Sequence, residues 1–150
     1  MALDPQPIFD ALLTHLQTLG LFESVNGHAA DISPGYGLVA TVEFVAMARA
    51  RSGLASTSAR IEFTITILTS LDQEPADAID PEILTATGKV FESLIGDFTL
   101  GGLARVVDVG GSGGDPLVAR AAYATVGGVK ARAVIIDVPV IVNDPFPEVA

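Results

Sequence analysis

The stretch Arg60–Ile67, RIEFTITI, alternates polar and apolar side chains without a break. Its apolar members are Ile61, Phe63, Ile65 and Ile67. Successive side chains of a β-strand point to opposite faces of a sheet, so this pattern predicts a strand with one buried face and one hydrated face. Such strands are typical of antiparallel sheets, whereas the strands of all-parallel sheets are apolar on both faces. We therefore expect an antiparallel sheet.

Four other segments predict further strands of this sheet. They are Tyr36–Met47, Leu103–Val109, Leu117–Val126 and Val129–Val142. The last two are separated by Gly127 and Gly128, and a glycine pair suits the two-residue turn of a hairpin. Pro139 has no backbone N–H to donate, which predicts that the last strand lies at an edge or loses its partner at that residue.

Two segments show the three- and four-residue spacing of apolar side chains that predicts amphipathic helices. Each begins at an Asp-Pro pair, Asp4-Pro5 and Asp80-Pro81, because aspartate caps a helix and proline tolerates its first position. Each ends at a glycine, Gly20 or Gly96. Together with the strands, they predict one α+β domain over residues 1–150, with two helices packed on a mostly antiparallel sheet of about five strands.

The composition argues against several kinds of site. The chain has no cysteine, and no apolar run reaches the roughly 18 residues of a membrane helix. With no signal-peptide pattern either, we expect synthesis in the cytoplasm and no membrane. The chain has 18 acidic residues and eight scattered basic ones, for a net charge of −10, so specific nucleic-acid binding is not expected.

His15 and His28 have no acid or second histidine at the sequence spacing of metal ligands. We predict no catalytic residue, no metal site and no cofactor, and hence no enzyme.

The glycine-rich stretch Val106–Pro116, VVDVGGSGGDP, is the main challenge to that prediction. In nucleotide-binding folds a glycine loop follows a strand and precedes a helix, and an acid on the next strand binds the ribose. In an S-adenosylmethionine-dependent methyltransferase these roles would fall to Gly110, Gly111, Gly113 and Asp137. Leu117–Val126 alternates equally well as a strand, however, and too few residues follow Asp137 to complete a doubly wound domain. A flexible hairpin tip is the alternative.

Five dispersed stretches carry a family resemblance. They read ALDPQPIFDALLTHLQTLGLFESVNGH, SGLASTSARIEFTITI, EPADAIDPEIL, GDFTLGGLARVVD and VPVIVND. Together, and in the same order, they resemble the tail terminator proteins of long-tailed bacteriophages, the siphoviruses, that infect actinobacteria. The resemblance covers most of the chain and includes no catalytic motif. The chain departs from the family at VAMARARSG, residues 45–53, and in the glycines from Gly110 to Gly114.

This resemblance implies a structural virion protein, made in the cytoplasm of the bacterial host and located at the head-proximal end of the tail. Six copies would form a ring that caps the tail tube, stops its polymerisation and joins it to the head-side connector. The implied partners are the chain itself as a homo-hexamer, the tail tube protein, the head–tail connector or neck protein, and the tape measure protein. Another neck or tail-completion protein, such as a head-closure subunit, is the alternative.

A ring subunit needs surfaces for its neighbours. Both faces of the last predicted strand are apolar, so we expect a helix to cover one face and a neighbouring subunit to cover the other; the candidate interface residues are Val134, Ile136, Val138 and Val140. Two loops rich in small residues are expected to order on assembly; their candidate residues are Arg49, Arg51, Leu54, Gly110, Gly111, Gly113 and Gly114. The acidic segment Asp72–Asp97 is predicted on the periphery of the ring, with a location in the lumen as the alternative.

Overall fold

The computed structural model describes residues 5–28, 37–51, 57–71, 76–97, 100, 106–108, 110 and 116–143. Two helices and six strands lie in this part of the chain. In chain order they are α1 (Gln6–Leu19), β1 (Phe22–Asn26), β2 (Leu38–Arg51), β3 (Thr57–Ser70), α2 (Ile79–Gly96), β4 (Val106–Val107), β5 (Val118–Val126) and β6 (Val129–Asn143). A single 3₁₀ turn, Ala76–Ala78, leads into α2.

All six strands belong to one sheet, in the order β1-β2-β3-β6-β4, with β5 also paired to β6. Every strand pair is antiparallel except β1 with β2. The longest ladder joins β3 to β6, from Ser58 opposite Asn143 to Ser70 opposite Ala131. The predicted α+β architecture, with two helices on a mostly antiparallel sheet, is confirmed.

One face of the sheet, here called the helix face, packs against α1 and α2. It carries the apolar set of β3, and Ile61, Ile65 and Ile67 are completely buried there. The helices contribute Ile8, Leu12, Leu16, Ile83, Ala86, Val90 and Leu94 to the same core. Burial of each large aliphatic side chain contributes roughly 1.5–3 kcal/mol, so this layer is the main source of stability. The opposite face, here called the outer face, carries the half-buried Glu62, Thr64 and Thr66.

The hairpin between β5 and β6 forms as its sequence predicts. Gly127 and Gly128 have φ angles of 57° and 79°, and positive φ at both central residues is the requirement of a type I′ turn. Gly20 ends α1 in the left-handed conformation, as predicted, with a φ of 66°. Asp4, the predicted cap of α1, lies outside the described residues. α2 begins at Ile79 with Ala78 at its N-cap position, so Asp80 lies in the first turn and its predicted role as the cap is wrong.

Pro139 lies in a central strand, so the edge position is wrong and the loss of a partner is correct. On one side β6 pairs with β3 throughout, with Pro139 opposite Glu62. On the other side the first residue of β5, Val118, lies opposite Asp137, and the last residue of β4, Val107, lies opposite Val140. The carbonyl of Pro139 accepts a hydrogen bond from the Asp108 N–H. Because the nitrogen and the carbonyl of one strand residue point to the same side, the ring nitrogen of Pro139 also points toward the break between β5 and β4. The missing N–H therefore costs no ladder bond.

The strands differ from the prediction in several places. β1 was not predicted, because its five residues, FESVN, are too few to alternate clearly. The predicted loop Arg49–Ser58 is shorter, since β2 continues to Arg51 and β3 starts at Thr57, opposite it. In the predicted strand Leu103–Val109, only Val106–Val107 is described as strand. A bulge after Phe44 also interrupts the alternation of β2, so that Met47 lies on the helix face opposite Ile61.

His15 of α1 connects the two helices through partners that lie far from it in the sequence. Its Nε2 lies 3.0 Å from Asp97 Oδ2, and its Nδ1 lies 2.6 Å from Ser93 Oγ. One neutral tautomer satisfies both contacts, because Nε2–H donates to the carboxylate while Nδ1 accepts the hydroxyl proton. In a catalytic triad the serine contacts Nε2 and the acid contacts Nδ1, which is the reverse of this arrangement. We interpret the three residues as a contact that fixes α1 against the end of α2.

Replacing His15 with alanine should destabilise the fold by about 1–2 kcal/mol, because two half-buried hydrogen bonds between the helices are lost. Urea unfolding followed by circular dichroism measures this. Thr14→Ala is the matched control on the same helix, since the Thr14 hydroxyl only contacts the Asp10 carbonyl one turn earlier. If the two variants unfold at the same urea concentration, the interhelical contact is not stabilising.

Candidate assembly surface

The described residues contain no group of three or more His, Cys, Asp or Glu side chains that would hold a metal ion. Within the same ranges, neither helix is long and apolar enough to cross a membrane. The candidate surfaces in this part of the chain are the edges of the sheet and the apolar residues beside them.

The geometry around the glycine-rich stretch differs from that of a cofactor loop. The segment that follows it is β5, a strand, and the methyltransferase reading requires a helix there. Asp137 lies within β6 opposite Val118, and its carboxylate accepts a hydrogen bond from Arg120 at 3.0 Å. A ribose-binding acid follows the end of a parallel strand. Gly110 is an exposed turn residue, while Gly111, Gly113 and Gly114 lie outside the described residues.

The two ends of this stretch are fixed to the sheet. The Asp108 N–H donates to the Pro139 carbonyl at 2.8 Å, and the Leu117 N–H donates to the Asp108 carbonyl at 3.2 Å. The Asp108 side chain, 2% exposed, accepts a hydrogen bond from Arg60 Nη1 at 2.6 Å. Arg60 also contacts Glu62, at 3.4 Å from Nε. A buried ion pair therefore holds the base of the glycine stretch against β3 and β6.

The four predicted interface residues, Val134, Ile136, Val138 and Val140, lie together on the helix face of β6. Their exposed fractions are 6%, 0%, 0% and 0%, and all four belong to the core beneath the helices. The chain's own helices thus cover the face that they share. Their role in a contact between subunits stays a prediction, since a single chain does not test it.

The remaining predicted assembly residues fall mostly at the far end of β2. Arg49 and Arg51 belong to the last part of that strand, opposite Ala59 and Thr57 of β3. Leu54 lies outside the described residues. In the acidic segment, Asp77, Asp80, Glu82 and Glu92 are exposed, whereas Asp72 and Glu74 lie outside the described ranges. Whether these acids face the axis or the periphery of a ring stays a prediction.

Two long stretches of strand pair on one side only among the described residues, and we call them the free edges; the short strands β1 and β4 also pair on one side, with β2 and β6 respectively. The first free edge belongs to β2. β1 pairs with its residues Leu38–Thr41, and from Val42 onward the edge of β2 that faces away from β3 pairs with no described strand. The second is β5, which pairs with β6 alone along its nine residues. An unpaired edge presents a row of backbone N–H and C=O groups, which is a template for another strand.

An apolar groove lies beside the free edge of β2, on the helix face. We call it the α1 groove; its volume is about 310 Å³, and it is lined by Pro5, Gln6, Phe9, Phe44, Met47 and Phe63. Phe44 is 58% exposed, and its ring contacts Phe63 edge-on at 6.4 Å between centroids. Met47 is 41% exposed. The helix layer therefore ends before it covers this part of β2.

A second apolar groove lies beside the free edge of β5, on the same face. We call it the α2 groove; its volume is about 480 Å³, and its lining includes Ile83, Leu84, Ala119, Ala121 and Val134. Leu84 is 72% exposed, although the helical spacing places it in the apolar stripe of α2. Helix α2 thus leaves β5 largely uncovered, and the small side chains of Ala119 and Ala121 form the floor of the groove.

Tyr123 stands at the end of the α2 groove with its ring 58% exposed. Lys130 Nζ lies 4.8 Å from the ring centroid and the Arg132 guanidinium carbon lies 4.5 Å from it, which are distances of cation–π contacts. Arg132 also donates to Asp80 of α2 at 3.0 Å. Neighbours in the same chain therefore hold the aromatic ring of Tyr123 in place, while the rest of its surface remains exposed to solvent.

Asp108→Ala should destabilise the fold by about 3 kcal/mol or more, because it leaves the buried Arg60 guanidinium without its closest carboxylate. Urea unfolding measures the change. Asp80→Ala is the control: it breaks an ion pair whose aspartate is 69% exposed, and should cost about 0–1 kcal/mol. Equal effects of the two substitutions would show that the Arg60–Asp108 pair does not hold the sheet and the glycine stretch together.

Val138→Asp should unfold the isolated chain, because it places a carboxylate without a partner in a completely buried position. Circular dichroism and size-exclusion chromatography of the single subunit measure this. Val129→Asp, at a 45% exposed position on the same strand, should leave the fold intact. A folded Val138→Asp monomer would contradict the packing of β6 described here.

No known family model matches the chain, and no curated protein matches its sequence. Among solved structures, the chain is similar to the sheath/tube terminator of an extracellular contractile injection system, PVC, determined by cryo-electron microscopy in its extended state. The TM-score is 0.48 and the sequence identity is 11%, over 100% of this chain and 62% of that chain. This chain therefore spans less than two thirds of the length of that terminator. At this identity and TM-score, the likeness does not transfer that protein's function to this chain.

Proposed function

We propose that the chain is a non-enzymatic structural protein of a viral tail, a terminator that assembles into a hexameric ring. The observation that carries the proposal is the pair of free edges, each with an exposed apolar groove on the same face of one sheet. Edges and apolar patches of this kind are unfavourable on an isolated protein and are used up when copies associate. The dispersed resemblance to siphovirus tail terminators points to the same role.

The ring would lie at the head-proximal end of the tail. There it caps the tube, ends the addition of tube protein and presents its other surface to the head-side connector. The tail tube protein, the connector or neck protein, and the tape measure protein are the partners that this position implies. A net charge of −10 on each copy gives the ring a strongly negative field, which disfavours adhesion to the DNA that passes through it.

The position of the chain in the virion tests the proposal. Antibodies against the chain, coupled to gold and imaged on intact particles by electron microscopy, should label the junction between head and tail. Labelling of isolated, headless tails at one end should persist, because a terminator belongs to the tail. A head-closure protein would instead stay with the separated heads, and labelling along the tail or at its distal tip would contradict both roles.

The proposal also predicts that S-adenosylmethionine does not bind. Isothermal titration calorimetry with the cofactor at millimolar concentration should give no heat beyond dilution. Binding at micromolar concentration that is lost in Gly110→Val, a substitution at an exposed turn with open space around it, would favour a methyltransferase and contradict the structural role.

A further inference from the structure

We propose that the subunits associate head to tail through β-strand pairing, with β5 of one copy added to the free edge of β2 of the next. The α2 groove of the first copy then closes against the α1 groove of the second. The inference rests on the proposed function only in requiring a cyclic assembly of this chain. It adds which edges meet, in which direction and in which register.

Strand direction supports this pairing. β2 is antiparallel to β3, β3 to β6 and β6 to β5, so β5 runs opposite to β2 within one chain. Copies related by rotation about a ring axis that is oblique to the strands keep the same strand direction along that axis. β5 of one copy therefore meets β2 of its neighbour in the antiparallel sense, and the mostly antiparallel sheet continues across the boundary.

Both edges expose apolar side chains on the helix face. Among the described residues the exposed large hydrophobic side chains are Leu21, Phe44, Val45, Met47, Leu84, Ile95, Tyr123 and Val129. Phe44, Met47, Leu84 and Tyr123 line or adjoin the two grooves on the helix face, whereas Val45 lies beside Glu62 and Thr64 of the outer face. A rotation about the ring axis keeps the helix faces on the same side, so the two grooves become one buried space between α1 and α2 of adjacent copies. The occupant of each groove is thus a second copy of this chain.

The exposed aromatic residues indicate the register. Phe44 on β2 and Tyr123 on β5 are each 58% exposed on the helix face. Placing them opposite each other forms a cross-strand aromatic pair, which is a stabilising arrangement. Continuing along the strands, Glu43 falls opposite Ala124 on the outer face and Val42 falls opposite Thr125, where the pairing ends because β1 occupies β2 up to Thr41. Met47 falls near the floor of the α2 groove, where Ala121 leaves room for a larger side chain.

This register requires a stagger between neighbours. Within one chain, the successive pairings of Ala121 with Val134, Val134 with Ile67 and Ile67 with Ala40 place Ala121 and Ala40 at the same height along the strands. β5 runs opposite to β2, so Tyr123 has the same height as Leu38. Leu38 is six residues from Phe44 along β2. Six residues correspond to about 20 Å along a strand, and the four strands β2, β3, β6 and β5 span about 19 Å across the sheet. Together these lengths give a strand tilt of about 45°, which is within the range seen when sheets close into barrels.

A two-fold contact is the competing arrangement. Pairing β5 with β5 of another copy is also antiparallel, but it leaves the β2 edge and the α1 groove exposed in the dimer. The head-to-tail contact uses both edges of every copy, and a heterologous contact of this kind gives a ring when its rotation closes. The structure therefore favours the head-to-tail contact over the two-fold one.

Disulfide trapping tests the pairing, because the chain has no cysteine of its own. In the double variant Glu43→Cys/Ala124→Cys, the two thiols of adjacent copies fall directly opposite, within about 5.5 Å between Cβ atoms. Mild oxidation should give a ladder of covalent oligomers on non-reducing electrophoresis. The matched control Glu43→Cys/Ala122→Cys moves one thiol by two residues on the same face, beyond disulfide reach, and should give at least about tenfold less product. Each single variant should stay monomeric.

Tyr123→Glu provides a second readout that does not depend on cysteine geometry. Lys130 and Arg132, which contact the aromatic ring of Tyr123, can form ion pairs with the new carboxylate, so the subunit should remain folded. Loss of a central aromatic contact should raise the dissociation constant of the assembly by at least about tenfold in native mass spectrometry or ultracentrifugation. Ile95→Glu, at a 47% exposed position on α2 outside both grooves, should have no such effect.

The outcomes separate this inference from the proposed function. If the wild-type chain forms rings but the Glu43→Cys/Ala124→Cys variant gives no more product than the single variants, the strand pairing is wrong and the ring proposal stands. If Ala124→Cys alone gives a covalent dimer, the two-fold contact replaces the head-to-tail one. If neither oxidation nor native mass spectrometry detects any assembly at high protein concentration, both proposals fail.

Discussion

The ladder between β3 and β6 is the interaction on which the rest of the structure depends. It joins residues 58–70 to residues 131–143, and it therefore ties the first half of the chain to the last strand. Everything else attaches to one of these two strands: β2 and β1 extend the sheet beyond β3, while β5 and β4 share the other side of β6. Both strands place an unbroken apolar row on the helix face, which is why α1 and α2 pack there and leave the two ends of the sheet uncovered.

Local patterns predicted most of the fold. The alternation of Arg60–Ile67 determines which face of the sheet is buried, and Gly127 and Gly128 determine the hairpin between β5 and β6, since each acts within a few residues. The features that were missed depend on partners distant in the sequence. β1 is a strand because its backbone pairs with the start of β2, and the bulge after Phe44 shows only in the register with β3. Neither leaves a distinct signal in the sequence.

The candidate surface was less predictable than the fold. The apolar character of β6 was evident, but the sequence does not show that the chain's own helices cover the face carrying Val138. Leu84 lies on a helical stripe that predicts burial, and it is exposed because α2 is displaced from β5. Ser93 and Asp97 lie 78 and 82 residues from His15, and Asp108 lies 48 residues from Arg60, so single-sequence reasoning could not assign these contacts. Free edges, likewise, are known only when the order of strands is known.

A cryo-electron microscopy map of the head–tail junction, at a resolution that separates β-strands, tests the central claim most directly. The account predicts six copies of this chain in one ring, with the sheet continuing from β5 of each copy to β2 of the next and with Phe44 near Tyr123 across each boundary. A ring whose copies contact only through their helices, with both sheet edges free, would contradict the strand-pairing account. Density for this chain anywhere other than the head-proximal end of the tail would contradict the proposed function itself.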